Sequence, residues 1–233
     1  MSMPFYVSPE QLMQDKAAYA RKGIGRGKSI VAMEIQEGIL LAAENPSSSL
    51  SKIGEIYDRI AFAGVGKFSE FDQLRKLGVR YADTMGYAYS RDDVRAKALA
   101  KAYSQAIGEV FTRELKPLEV EVIVAEVGDD RFAGHEANSL YKVTFDGSIQ
   151  DHRGFCVIGG TADELQTQIR RDYREGMPLG DALRLAQGAL GRASGTDQPV
   201  APGNLEVCVL DRSRPRRKFR RLTADEVATL LAR

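Results

Sequence analysis

Apolar and polar positions alternate along this chain in two different periods, and the switches between them mark out groups of strands and pairs of helices. Ser8-Pro9-Glu10-Gln11 reads as a helix start, with Ser8 as N-cap, Pro9 at the first helical position and Gln11 completing a capping box. Arg21 and Lys22 suit its far end and Gly23 stops it, so a leading helix spans 8–22. Its apolar positions are Leu12, Met13, Ala17 and Tyr19. Runs at 29–35 and 39–44, separated by Gln36-Glu37-Gly38, predict a hairpin, and 52–56 and 59–64 bring the first strand group to four. Helical spacing then returns at Phe68, Phe71, Leu74, Leu77, Tyr81 and Met85, and again in a helix that opens at Ser90 and carries Leu99, Tyr103 and Ile107.

Pro117 closes that pair. A second strand group covers 120–125, 140–145 and, after the Asp146-Gly147 turn, 153–158. Another helix pair follows: Thr161 to Glu164 is a capping box ahead of Leu165 and Ile169, and Pro178 starts a helix bearing Leu179, Ala182, Leu183, Ala186 and Leu190. Strands at 204–211 and 218–222 and a short helix capped by Thr223 end the chain. Runs of strands separated by helix pairs predict antiparallel sheets stacked face to face with helices outside. The fold class is α+β, a four-layer α-β-β-α sandwich.

Composition adds bounds rather than a function. At 233 residues and 43% apolar content the chain reads as an ordinary globular protein. Its longest apolar run, 39–43, is far short of the roughly 20 residues that cross a bilayer, and the first seven residues have no secretory pattern. A cytoplasmic protein with no membrane partner is expected. Cys156 and Cys208 sit in apolar runs and read as core residues in a reducing compartment. His135 and His152 have no partner at ligand spacing, read as surface loop residues, and leave no metal or cofactor site to expect. Net charge is +1, yet seven cations fall between Arg212 and Arg221. With only Phe219 interleaved, that run reads as an edge strand guarded by charge; nucleic-acid binding is the lesser reading.

The stretch Arg21-Lys22-Gly23-Ile24-Gly25-Arg26-Gly27-Lys28-Ser29 invites comparison with a phosphate-binding loop. Lys22 stands where the first glycine belongs, and the segment joins a helix to a strand, the reverse of the order such a loop requires. It is a connector, and no nucleotide is expected there.

Several segments together resemble one family: Tyr19-Ala20-Arg21-Lys22-Gly23, the 29–44 hairpin, Ala42-Ala43-Glu44-Asn45-Pro46-Ser47, Lys52-Ile53, Gly64-Val65-Gly66, the 141–147 segment, Leu205-Glu206-Val207 and the run from Asp211 to Arg217. In this order and spacing the chain resembles the α subunit of the bacterial, actinobacterial 20S proteasome over its whole length. The resemblance implies the N-terminal-nucleophile hydrolase fold, in agreement with the sandwich above, with residues 8–233 forming a single domain. It further implies a homo-heptameric α ring on each end of catalytic β rings, docking of a ring-shaped ATPase activator through its C-terminal tails, and admission of unfolded protein to a threonine-type endopeptidase complex. By the same resemblance Lys52 lines an activator-docking pocket with Gly66 beside it, and Met1, Ser2, Met3, Pro4, Phe5, Tyr6 and Val7 form a gating tail. The Tyr-Asp-Arg of many archaeal and eukaryotic α tails is absent from this one; Tyr57-Asp58-Arg59 lies after the hairpin.

In this fold a nucleophile must be the first residue of the mature chain, because its own α-amine is the base. Residues 1–28 precede the first strand and include the capped helix, so no catalytic residue and no intrinsic activity are expected. The alternative is a catalytic N-terminal-nucleophile hydrolase or β-type subunit activated by removal of 1–28, with Ser29 as nucleophile and Glu44 and Lys52 tuning it.

Overall fold

The structure, a computed structural model, describes residues 8–47, 49–128, 137–195 and 198–232. The tail at 1–7 and His135 lie outside the described residues. In chain order the elements are α1 (Pro9–Ile24), β1 (Ile30–Ile35), β2 (Gly38–Glu44), β3 (Ile53–Tyr57), β4 (Ile60–Gly66), α2 (Phe68–Ala88), α3 (Ala96–Arg113), β5 (Val120–Glu126), β6 (Ser139–Val143), β7 (Ile149–His152), β8 (Phe155–Ile158), α4 (Ala162–Asp172), α5 (Leu179–Ala193), β9 (Leu205–Asp211), β10 (Phe219–Arg221) and α6 (Ala224–Leu231). Two antiparallel sheets result, ordered β10-β9-β2-β1-β8 and β3-β4-β5-β6-β7. No helix among the described residues is long and apolar enough to cross a membrane.

Strand periodicity of two assigns the layers. On the first sheet Ile30, Ala32, Ile39, Leu41 and Cys208 face the second sheet, meeting Ile53, Ala61, Ala63, Ile123 and Ala125. Their neighbours Val31, Met33, Leu40, Ala42, Val207 and Val209 face outward onto Leu165, Ile169, Leu183, Ala186 and Leu190 of α4 and α5. On the second sheet Ile60, Phe62, Val122 and Val124 face Phe71, Leu74, Leu99, Tyr103 and Ile107 of α2 and α3. The expected four-layer sandwich is therefore present, and its strands read as continuous apolar runs because both of their faces are covered. Both cysteines are fully buried, and burial pushes their thiols up to about 12, so they are packing residues.

Several elements differ from the sequence expectation for identifiable reasons. The first four strands divide between the sheets, with β1 and β2 in one and β3 and β4 in the other. The second group contains an extra strand: β7 pairs with β6, and its exposed Ile-Gln-Asp sequence lacks an apolar signature because it is a sheet edge. His152 consequently sits at a strand end, half-buried, and its Nε2 has no hydrogen-bond partner. Strand β8 then crosses to the other sheet to pair with β1, the crossing held where Gly154 donates its N–H to Glu34 Oε1 at 2.7 Å. Ser90 caps only a turn of 3-10 helix at Arg91–Asp93. Helix α3 begins at Ala96, where Glu126 supplies the missing cap by accepting the Ala96 N–H at 2.8 Å.

Helix α1 turns a different face inward from the one its larger apolar residues marked. Lys16, Ala20 and Ile24 are buried, one turn apart, while Leu12 and Tyr19 stay 41% and 49% exposed. Ala20 and Ile24 join the core between the sheets, and Lys16 donates from Nζ to the Phe111 carbonyl at 3.1 Å. The basic run is likewise committed internally: Arg217 pairs with Glu55, Arg220 with Glu226, Arg221 with Glu206, and Arg212 donates to Asn138. β10 is the edge strand predicted for it.

The carboxylate of Glu126, almost wholly buried, also meets Arg95 Nε at 2.8 Å and Arg59 Nε at 3.2 Å. Removing one member of a buried charge network strands the others without compensation. Glu126→Ala is expected to cost about 3 kcal/mol of stability, with Glu126→Gln costing less; urea unfolding of the two variants checks this, and a loss within experimental error of zero would contradict it.

Candidate functional site

The chemistry-bearing residues named from sequence gather at one end of the sandwich, where the connector 25–29 leads from α1 into β1. The connector is tight. Gly27 approaches β4 so closely that a Cβ there would lie 2.7 Å from Val65 and 3.1 Å from the Gly66 nitrogen. On the other side a Cβ at Gly160 would fall 2.6 Å from the Gly25 Cα. The glycines of the sequence thus permit three backbone segments to touch.

Ser29 ends the connector and is buried, 5% exposed. Its hydroxyl shares a 2.8 Å hydrogen bond with Thr161 Oγ1. This explains why Thr161 does not cap α4 as its sequence pattern predicted: its side chain makes no cap hydrogen bond. A cavity of about 250 Å³ opens beside Ser29, lined also by Glu44, Gly160 and Ser194. At its mouth Lys28 Nζ meets Glu44 Oε1 at 3.2 Å and Ser194 Oγ at 3.1 Å, and the Ser194 hydroxyl donates to the same carboxylate. Ser194, at the end of α5, is a participant that sequence did not single out.

Lys52 lies just ahead of β3, and its head is turned inward. Nζ donates to the Lys28 carbonyl at 3.0 Å and to the Glu44 carbonyl at 3.1 Å. Burial pushes its ammonium below the usual lysine range to about 8, opposed by the Glu206 and Glu44 carboxylates and reinforced by Lys28. The Lys52 carbonyl accepts the Gly64 N–H at 3.0 Å. Gly66 follows at the end of β4 with φ +107°, a conformation that side-chain-bearing residues avoid; a Cβ there would sit 1.9 Å from the Glu119 carbonyl oxygen. Lys52 and Gly66 therefore flank the same connector, the lysine reaching its Lys28 end and the glycine its Gly27 side.

Sequence reading missed the group that holds Lys52 in place. Glu206 on β9 is opposite Ala43 in register and shares the inner face with Cys208 and Leu210, so a carboxylate stands where an apolar side chain is expected. It accepts N–H bonds from Lys52 at 2.9 Å, Ile53 at 3.1 Å and the Asn45 side chain at 2.7 Å, and pairs with Arg221. The signal was present in Leu205-Glu206-Val207, a lone charge inside an apolar run. Among the described residues no cluster of His, Cys, Asp or Glu suits a metal ion.

Comparison with known proteins places the chain in a family. The family model described as proteasome subunit matches residues 24–210. A protein named proteasome subunit alpha from Kineococcus radiotolerans is 53% identical over all of this chain and 99% of its own length. Proteins of the same name from Xylanimonas cellulosilytica and Frankia alni are 54% and 51% identical, over 95% and 100% of this chain and 93% and 98% of their own. With the family model covering most of the chain and such identity holding from end to end, the chain belongs to the proteasome subunit family.

Proposed function

We propose that this chain is the non-catalytic α subunit of a cytoplasmic 20S proteasome core particle. Seven copies form the outer ring on each end of the catalytic β rings. Residues 1–7 of each copy gate the axial entrance, on a single domain formed by 8–233, and a ring-shaped ATPase activator docks its C-terminal tails at Lys52 and Gly66 to feed unfolded protein inward. The relatives' name supports the α assignment. One observation carries the absence of catalysis: Ala20 and Ile24 of α1 complete the core between the sheets, and the connector from that helix enters β1 directly.

The physical reason is the amine. A nucleophile at the head of β1 needs a free α-amino group as base, and Ser29 is joined to Lys28 through a peptide whose carbonyl Lys52 holds. Cutting there would detach a helix whose buried side chains belong to the main core. The expected result is a purified chain whose intact mass retains the leading helix and which alone hydrolyses no peptide. A chain beginning at Ser29 with activity of its own would reverse the assignment.

Lys52 suits the seat for a tail carboxylate. Its ammonium is half-buried, so a bound anion meets it with less solvent screening than on an open surface, and Gly66 lies beside the same connector. Lys52→Ala is expected to leave assembly intact and abolish ATPase-stimulated degradation; unchanged stimulation would refute docking there. The pH dependence has a definite sign. Because the free ammonium loses its proton near pH 8, affinity for a carboxylate tail weakens as pH rises past that value, by up to about tenfold per unit. Activator titrations at about pH 7 and about pH 9 check this. For the tail, deletion of residues 2–7 is expected to raise peptide hydrolysis by the assembled particle severalfold, and no rise would count against gating.

A further inference from the structure

A carboxylate on the inner face of an interlayer core needs a reason, since burial of a charge is costly unless it is paired and hydrogen-bonded. Glu206 is 8% exposed and fully engaged, and its partners are informative. Three of them are the Lys52 N–H, the Ile53 N–H and Asn45 Nδ2, and the fourth is the Arg221 guanidinium, whose other nitrogen donates to the Ile53 carbonyl. Glu206 and Arg221 belong to the first sheet; Ile53 begins the second. The pair thus grips the backbone at Lys52 and Ile53 from both its donor and acceptor sides.

We infer that Glu206 is the positioning residue of Lys52: its carboxylate, together with the Arg221 guanidinium, fixes the backbone at Lys52 and Ile53 against the first sheet. The consequence for docking rests on the reading of Lys52 given above, whereas the effect on the lysine itself does not. The groups that set the charge of Lys52 come from every element around it: Glu206 from β9, Glu44 from β2 and Lys28 from the connector, with Arg221 of β10 drawing on Glu206. Both carboxylates oppose the loss of the proton, Glu206 more strongly than Glu44, so Glu206 also supplies counter-charge to the lysine head it positions. Without it, only Glu44 opposes burial and Lys28 at the lysine.

The test uses the full chain with isotope-labelled lysine, and Lys52→Ala to identify the Lys52 resonance. In Glu206→Gln the Lys52 titration midpoint is expected to fall by about one pH unit or more, and amide exchange at Lys52 and Ile53 to speed at least tenfold. Glu206→Asp separates the two roles and covers the case in which the glutamine variant does not fold: it keeps the charge and shortens the reach, so the midpoint stays near that of the unaltered chain while exchange speeds. A folded Glu206→Gln chain with unchanged midpoint and unchanged exchange overturns the inference, as does a Glu206→Asp chain with unchanged exchange. These readouts need no activator. Failure of Lys52→Ala to affect stimulation would therefore sink docking alone, and an inert Glu206→Gln would sink positioning alone.

Discussion

Both faces of each sheet are apolar over their central strands, so neither sheet can meet water there on either side, and the hydrophobic effect demands four layers before the chain is satisfied. The inner layer is the critical one. It is built largely of small or branched side chains, Ala32, Ala43, Ala61, Ala63 and Ala125 among Ile30, Ile39, Leu41 and Ile123, which lets the sheets approach face to face. Once the faces are closed by helices, the open ends of the sandwich are where polar chemistry can gather. At the end where β1 starts, that chemistry is Ser29, Thr161, Glu44, Lys28 and Lys52.

The same end is where the leading helix is built in. Ala20 and Ile24 extend the inner layer beyond the strands, and the connector behind them runs between Gly160 on one side and β4 on the other. A close relation follows between packing and chemistry. The polar side chains at the head of β1 are tied into hydroxyl pairs and ion pairs. Ser29 is bound to Thr161, and Lys52 to two backbone carbonyls.

Holding Lys52 there is an electrostatic task as much as a steric one. Its ammonium is depressed by burial, and the Glu206 carboxylate, itself satisfied by N–H donors and Arg221, resists that effect. The basic run at the C-terminal side contributes the guanidinium that makes Glu206 tolerable inside. A charge-dense segment that looked like surface decoration is thereby connected to the lysine at the sandwich end.

Much of this was decided by local sequence. Unbroken apolar runs bounded by turns announced strands covered on both faces, helical stripes announced two outer pairs, and a helix ahead of the glycines excluded a phosphate loop before any coordinates. Ser29, Glu44 and Lys52 are named through the family resemblance rather than by residue type, and the structure places them at one end of the sandwich. What sequence could not decide were contacts between residues distant along the chain. β7 has no apolar stripe because an edge strand needs none, and β8 leaves its sequence neighbour to pair with β1 in the other sheet. Thr161 leaves its own helix to bind Ser29, and Glu126 caps a helix 30 residues away. Glu206 reaches Lys52 across 154 residues of sequence. Periodicity records which face a residue turns, and that is a property of neighbours in the chain; which partner waits on that face is set by how the layers close, and only the tertiary structure holds it.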